Sequence, residues 1–283
     1  MLKRVLTGIV GLIIILPVFV FSGYEVGKYV FIGLFFLLTI MSLFEAGKCI
    51  GLSKKFWIVI PTYVFSAAYM VAVIFFSDTP WGSTYLIPII ACFIFVIFAI
   101  SMLSRGVVRV SQTAEMLLVS SYVTFGLTSV VLLRYSNETY GNLVYLLIFV
   151  GAWMTDTGAY FIGRFLGKHK LIPTVSPKKT VEGAIGGIVV CMASFAGYAL
   201  LVSNIHSLKI NWLALLLAGL FVSVISQFGD LIMSYLKREH GIKDFSSLLP
   251  GHGGILDRFD SMIPVAMFLY ILNTVFKVMI FYE

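Results

Sequence analysis

Charge is scarce in this chain. Only 12% of its 283 residues are charged, about half the share of an ordinary soluble domain. A soluble globule must cover itself with polar groups, and a composition that is 60% apolar leaves too few. An ordinary cytosolic enzyme, a disordered chain and a nucleic-acid binder are excluded on that ground. Cysteine is equally sparse. Cys49, Cys92 and Cys191 stand alone without a CxxC pair, so neither a zinc site nor a disulfide framework is indicated. Each reads as a small apolar packing residue. GxGxxG, GxSxG and HExxH are also missing, and with them the common dinucleotide, serine-hydrolase and zinc-protease signatures. The stretch from Gly163 to His169 imitates a P-loop, but it is one residue short and has His169 where Ser or Thr is needed. His169, His206 and His240 have no metal-ligand spacing.

What the chain does have is long apolar runs, at about 5–22, 27–46, 56–76, 85–104, 113–133, 142–163, 183–203, 212–233 and 261–281. Each is long enough to cross the hydrocarbon core as a helix. None alternates as a barrel strand would, and lipid permits only helices or closed barrels. The fold class expected is therefore an all-α polytopic membrane protein of about nine transmembrane helices. Lys3 and Arg4 ahead of the first run resemble a signal peptide. The run is longer than a usual signal core and no A-x-A-like site follows, so it is taken as the first span. Sixteen of the 20 Lys and Arg residues then fall on one side. Basic residues concentrate in cytoplasmic loops, which predicts a cytoplasmic N-terminus and an outside C-terminus. Spans one to five form an N-terminal part (1–141). Spans six to nine form a C-terminal part (142–283), with two long cytoplasmic loops, 164–182 and 234–260. Long loops between packed elements are usually functional or disordered, and these are not low-complexity. No internal repeat suggests the inverted halves of a transporter.

Acidic residues stand where lipid is expected. Asp156 lies in the last third of span six, Asp230 near the end of span eight, and Asp257 and Asp260 at the entry to span nine. An ionisable residue at such a place is a functional candidate. On this topology the four share one depth, near the cytoplasmic face. They would repel each other unless cations sat among them, and hard oxygen ligands suit Mg²⁺ with substrate phosphates. Asp257 and Asp260 are spaced i,i+3, one helical face. Asp230, Ser234 and Lys237 are spaced i, i+4, i+7, again one face if the helix continues. Plainer readings stay open. Asp257 and Asp260 suit a helix N-terminus, Asp156 a buried structural bond, and Lys237-Arg238 an interfacial pair. Glu45 and Glu115, also near cytoplasmic ends, read as structural or interfacial.

The loops add phosphate-binding chemistry. Pro250-Gly251-His252-Gly253-Gly254 permits close backbone approach and an anion-binding nest, with His252 as a donor to a phosphate oxygen. Ser176, Lys178, Lys179 and Thr180 set two lysines among small hydroxyls, which suits a triphosphate or an anionic lipid head. The alternative is a solvated loop in which Thr180 caps the next helix and Glu182 complements its dipole. Gly183 and Gly187 read as helix packing.

The run from Ser234 to Asp260, SYLKREHGIKDFSSLLPGHGGILDRFD, resembles the signature of the phosphatidate cytidylyltransferases, or CDP-diacylglycerol synthases. The matching positions are Ser234, Lys237-Arg238, Lys243-Asp244, Ser246, Pro250, His252-Gly253-Gly254 and Asp257-Arg258-x-Asp260. The SPKKTVEG loop and Asp156 fit the same family. The resemblance covers the chain well from about 142 onward, while the N-terminal half agrees in hydropathy alone. It implies an integral enzyme, of the bacterial cytoplasmic (inner) membrane, that converts CTP and phosphatidate to CDP-diacylglycerol and pyrophosphate. It further implies Mg²⁺, with a second cation plausible, an active site at the cytoplasmic surface and a homodimer. On that reading Asp156, Asp230, Asp257 and Asp260 are metal ligands, and Lys237, Arg238, Arg258 and His252 act at the reacting phosphates. Ser176, Lys178, Lys179, Thr180, Ser234, Lys243, Asp244, Gly253 and Gly254 bind substrate. The alternatives are a membrane nucleotidyl- or phosphotransferase acting on another lipid phosphate, and a cation-coupled transporter. Surface placement of the acids and the absence of a repeat speak against the transporter.

Overall fold

The structure, a computed structural model, describes residues 13, 15–76, 82–136, 141–278 and 280–282. Helix is the dominant element, as the bilayer argument requires. Half of the first expected span, 5–22, lies outside the described residues, and 15–21 within it is helical (α1). Then follow α2 (Glu25–Cys49), α3 (Phe56–Phe76), α4 (Gly82–Leu103), α5 (Val110–Tyr135), the one-turn α6 (Gly141–Val144), α7 (Leu146–Leu166), α8 (Val181–His206), α9 (Trp212–Glu239), the one-turn α10 (Leu256–Phe259) and α11 (Met262–Thr274). Among the described residues seven helices are long and apolar enough to cross a membrane: α2, α3, α4, α5, α6 with α7, α8 and α9. The chain is thus a helical integral membrane protein. Its large apolar side chains, such as Phe95, Leu118, Ile185, Leu201 and Phe221, stay exposed on helix faces, which only a lipid solvent makes favourable.

The ninth expected span differs. Instead of a helix over 261–281, α11 has 13 residues, or about 20 Å, short of the roughly 30 Å hydrocarbon core. Lys277 takes a left-handed conformation (φ 50°). The chain then extends into β4 (Phe281–Tyr282), which pairs antiparallel with β3 (Lys209–Ile210). The helix thus ends at Thr274 although the composition stays apolar.

The described residues fall into two compact units. One comprises those up to Val131 together with His240–Phe259; the other comprises Leu132–Glu239 and the residues from Asp260 on. The segment 240–259 thus groups with the N-terminal helices. In the first unit α2 packs on α3, α3 on α4, and α10 on α2. Phe65 and Phe93 stack there, with ring centroids 4.0 Å apart. Thr62 and Ser66 turn their buried hydroxyls back to the helix carbonyls of Ile58 and Thr62, and Ser66 also meets Thr124, as an apolar solvent favours.

In the second unit α7 and α8 pack closely, and both touch α9. The glycine pair of α8 explains the close approach. A Cβ on Gly183 would stand 2.7 Å from the Ala159 carbonyl oxygen, and one on Gly187 2.9 Å from that of Thr155. The small-residue reading of this pair is what the structure shows. The loop expected at 164–182 is largely a β-hairpin, β1 (Lys170–Ile172) antiparallel to β2 (Ser176–Thr180). The loop expected at 234–260 begins with the last turns of α9, which runs to Glu239, and ends with the turn α10.

Candidate functional site

In the second unit a cavity of about 420 Å³ opens between the β1–β2 hairpin and α7, α8 and α9. It is lined by Asp156, Tyr160 and Arg164 of α7, by Lys178, Lys179 and Thr180 of β2, and by Gln227 and Asp230 of α9, among others. The spacing explains the α7 wall, since Asp156, Tyr160 and Arg164 recur every four residues on one face. Arg164 donates to the Tyr160 hydroxyl at 2.8 Å. The hairpin is held over the helices by Glu182. Its carboxylate accepts from the backbone N–H groups of Lys168 and His169 and lies 2.6 Å from His169 Nδ1.

Lys179 reaches across this cavity. Its Nζ is 2.5 Å from Asp230 Oδ2 and donates to the Gln227 carbonyl at 3.5 Å. One turn on, Ser234 donates to Asp230 Oδ1 at 3.3 Å. The helical face expected for Asp230, Ser234 and Lys237 is thus formed, because α9 continues past Lys237. Lys237 itself is buried. Asp260, in the turn ahead of α11, is buried as well. Burial, the neighbouring Asp230 and, more weakly, Asp156 push its carboxyl well above the ordinary carboxylate range, and Lys237 opposes them.

In the first unit the glycine–histidine loop is organised by two carboxylates. Asp257 Oδ2 accepts from the backbone N–H of Phe245 at 2.8 Å and of Gly254 at 2.9 Å. Glu45, 2% exposed near the end of α2, accepts from Ser246 Oγ and from the N–H groups of Ile255 and Leu256. Gly253 has φ +83°, a conformation that favours glycine. Among the described residues His252 Nδ1 is buried without a hydrogen-bond partner. A buried polar atom of that kind calls for a group beyond the protein's own.

These placements meet independent comparisons. The model of the cytidylyltransferase family matches residues 2–276. The chain belongs to that family. It is similar to the phosphatidate cytidylyltransferase of Staphylococcus haemolyticus, 34% identical over 95% of this chain and 97% of the relative. To that of Staphylococcus aureus it is 31% identical over the same shares. To that of Bacillus subtilis it is 48% identical over 50% of this chain and 51% of the relative. The family is one of nucleotidyltransferases, so this integral membrane protein is an enzyme of that class.

Seen as a cytidylyltransferase, the chain places its expected site residues unevenly. Asp156, Lys178, Lys179, Thr180 and Asp230 line one cavity. Thr180 also accepts from Gly183 N at 3.1 Å, so it is the helix cap that local pattern allowed. Ser176 lies on the same strand, outside the cavity lining. Arg238, Lys243, Asp244 and Arg258 are exposed. The expected anion nest at Gly253-Gly254 holds an anion of the protein itself, since the Gly254 N–H goes to Asp257. Among the described residues no three His, Cys, Asp or Glu side chains form a ready metal cage. Asp260 nevertheless lies within electrostatic reach of Asp230 and Asp156, and a divalent cation of the Mg²⁺ type needs only one or two carboxylates beside water and substrate phosphate. Arg164, Tyr160, Gln227 and Glu45 were not among the expected residues. Arg164 and Tyr160 were findable by stepping from Asp156 in fours along the helix.

Proposed function

We propose that this protein transfers the cytidylyl group of CTP to phosphatidate, giving CDP-diacylglycerol and pyrophosphate, at the cytoplasmic face of a bacterial inner membrane. The observation that carries the reading is the Lys179–Asp230 pair beside Ser234 in a cavity walled by further basic side chains. It sets cationic phosphate ligands against a carboxylate suited to a metal. Relatives of nearly full length that are named for this reaction support the substrate pair.

The chemistry asks little of a nucleophile, because the phosphatidate phosphate already carries a reactive oxygen. That oxygen forms a bond to the α-phosphorus of CTP while the bond to the bridging oxygen breaks, and the electron pair leaves with pyrophosphate. Most of the barrier is repulsion between anions, so fixed cations lower it. Lys178, Lys179, Lys237, Arg238 and Arg258 neutralise phosphate oxygens, and Arg164 extends the basic wall. His252 gives its orphaned ring nitrogen to a phosphate oxygen. Asp156, Asp230, Asp257 and Asp260 would hold Mg²⁺, with room in charge terms for a second cation. When bound, the metal would neutralise the triphosphate and the departing pyrophosphate. Ser234, Lys243 and Asp244 complete the nucleotide and lipid-head contacts. Two finer features belong to the same proposal: a cytoplasmic N-terminus, supported by the one-sided distribution of Lys and Arg, and a homodimer, implied by the family resemblance.

One experiment tests reaction and sidedness together. Purified protein with Mg²⁺, CTP and phosphatidate should release pyrophosphate and form CDP-diacylglycerol. In sealed membrane vesicles, external CTP should support turnover only when the cytoplasmic face is outward. Product from a polyprenyl phosphate but not from phosphatidate overturns the substrate; turnover in vesicles of the opposite orientation overturns the sidedness.

A further inference from the structure

Glu45 takes no part in the chemistry above, yet it is among the most completely satisfied carboxylates in the structure. It lies near the end of α2 and is 2% exposed. Oε1 accepts from Ser246 Oγ at 2.6 Å and from Ile255 N at 2.9 Å; Oε2 accepts from Leu256 N at 2.8 Å. No ion pair to it occurs among the described residues. Burying a carboxylate without a counter-ion is costly unless hydrogen bonds replace its water. Three donors converge on two oxygens, and only an acceptor-only group serves them all. An amide would turn its NH₂ towards a backbone N–H in either orientation.

The donors mark both ends of one segment. Ser246 stands at its start, and Ile255 and Leu256 lead directly into α10, which carries Asp257. The segment is also shaped to the carboxylate. A Cβ on Gly254 would lie 2.5 Å from Glu45 Oε2, so any larger residue there collides with it. Asp257, in turn, holds the Phe245 and Gly254 N–H groups from within. Two carboxylates thus brace the same loop, one from each side, and the position of Asp257 depends on both.

We infer that Glu45 is a positioning residue, a fixed template on α2 that folds the Ser246–Leu256 segment and thereby sets Asp257 for cation binding. This rests on the reading of Asp257 as a cation ligand, but the first readout below does not. In Glu45→Gln, backbone hydrogen exchange at Ile255 and Leu256 should accelerate at least about tenfold while the melting transition of the whole protein persists. Mg²⁺ alone should raise the melting temperature less than in wild type. The Mg²⁺ concentration for half-maximal turnover should rise about 10–100-fold, with KM for phosphatidate unchanged. Unaltered exchange overturns the template. Faster exchange with a wild-type Mg²⁺ requirement overturns the link to Asp257, and so does a fall in turnover without a Mg²⁺ effect.

Should Glu45→Gln fail to fold, Gly254→Ala decides. Alone, its Cβ strikes Glu45 and should impair Mg²⁺-dependent stabilisation. Combined with Glu45→Asp, which withdraws the carboxylate by one methylene, it should recover part of the loss. Additive losses in the double variant overturn the inference. If wild-type protein shows no turnover with CTP and phosphatidate, the exchange and Mg²⁺-stabilisation readouts still judge Glu45 on their own.

Discussion

Asp257→Asn is expected to fold like wild type and to lose about 10²–10³-fold in turnover. The reasoning separates the two oxygens of one carboxylate. Oδ2 accepts from the Phe245 and Gly254 N–H groups, and the carbonyl oxygen of an asparagine placed there accepts from both. The loop therefore keeps its bonds. The other oxygen becomes an amide nitrogen, which cannot ligate a hard cation. Asp257→Ala removes both functions. It leaves two buried N–H groups unpaired, at about 1–3 kcal/mol each, and should melt several degrees below the asparagine variant. Thermal unfolding in detergent beside steady-state turnover makes the comparison. Wild-type turnover in Asp257→Asn would end the metal assignment. Equal melting temperatures for the two variants would end the claim that Asp257 braces the loop.

Such a separation was not legible in the sequence, and the reason is physical. Hydropathy reports the helices because lipid leaves the backbone no alternative, so α2 to α5 and α7 to α9 fall where the apolar runs do. Local signals were legible too. Thr180 caps α8, and Gly183 and Gly187 let α7 approach, because a cap and a packing pair are properties of neighbouring residues. The face of Asp230, Ser234 and Lys237 needed only α9 to continue. Features set by distant partners were hidden. The hairpin of Lys170–Thr180 has no alternating pattern and is stitched by Glu182. The apolar run after Met262 looks like a full span, yet its helix stops at Thr274 and Phe281–Tyr282 pair with Lys209–Ile210. Glu45 was hidden most completely, since its partners lie some two hundred positions away. The glycine run gave no sign that the Gly254 N–H is taken by Asp257.

Lys179→Ala is expected to lower kcat/KM for CTP by about 10–100-fold, the worth of one or two charge-assisted hydrogen bonds. Its effect on Mg²⁺ is expected to run the other way. The Lys179 ammonium already occupies the side of Asp230 that a metal would seek, at 2.5 Å. Both groups are half-buried, so the contact is less screened than a surface pair. If Lys179 moves to a phosphate oxygen when CTP binds, Asp230 would be left to hold a cation. Removing the lysine therefore deletes a phosphate ligand and a competitor for the metal at once. KM for CTP should rise while the Mg²⁺ midpoint stays level or falls. Lys178→Ala, at the exposed neighbour, should show a smaller loss. An unchanged KM for CTP would rule Lys179 out as a phosphate ligand. A Mg²⁺ midpoint that rises together with KM would mean instead that Lys179 holds Asp230 in place for the metal, a structural brace and not an exchanging partner.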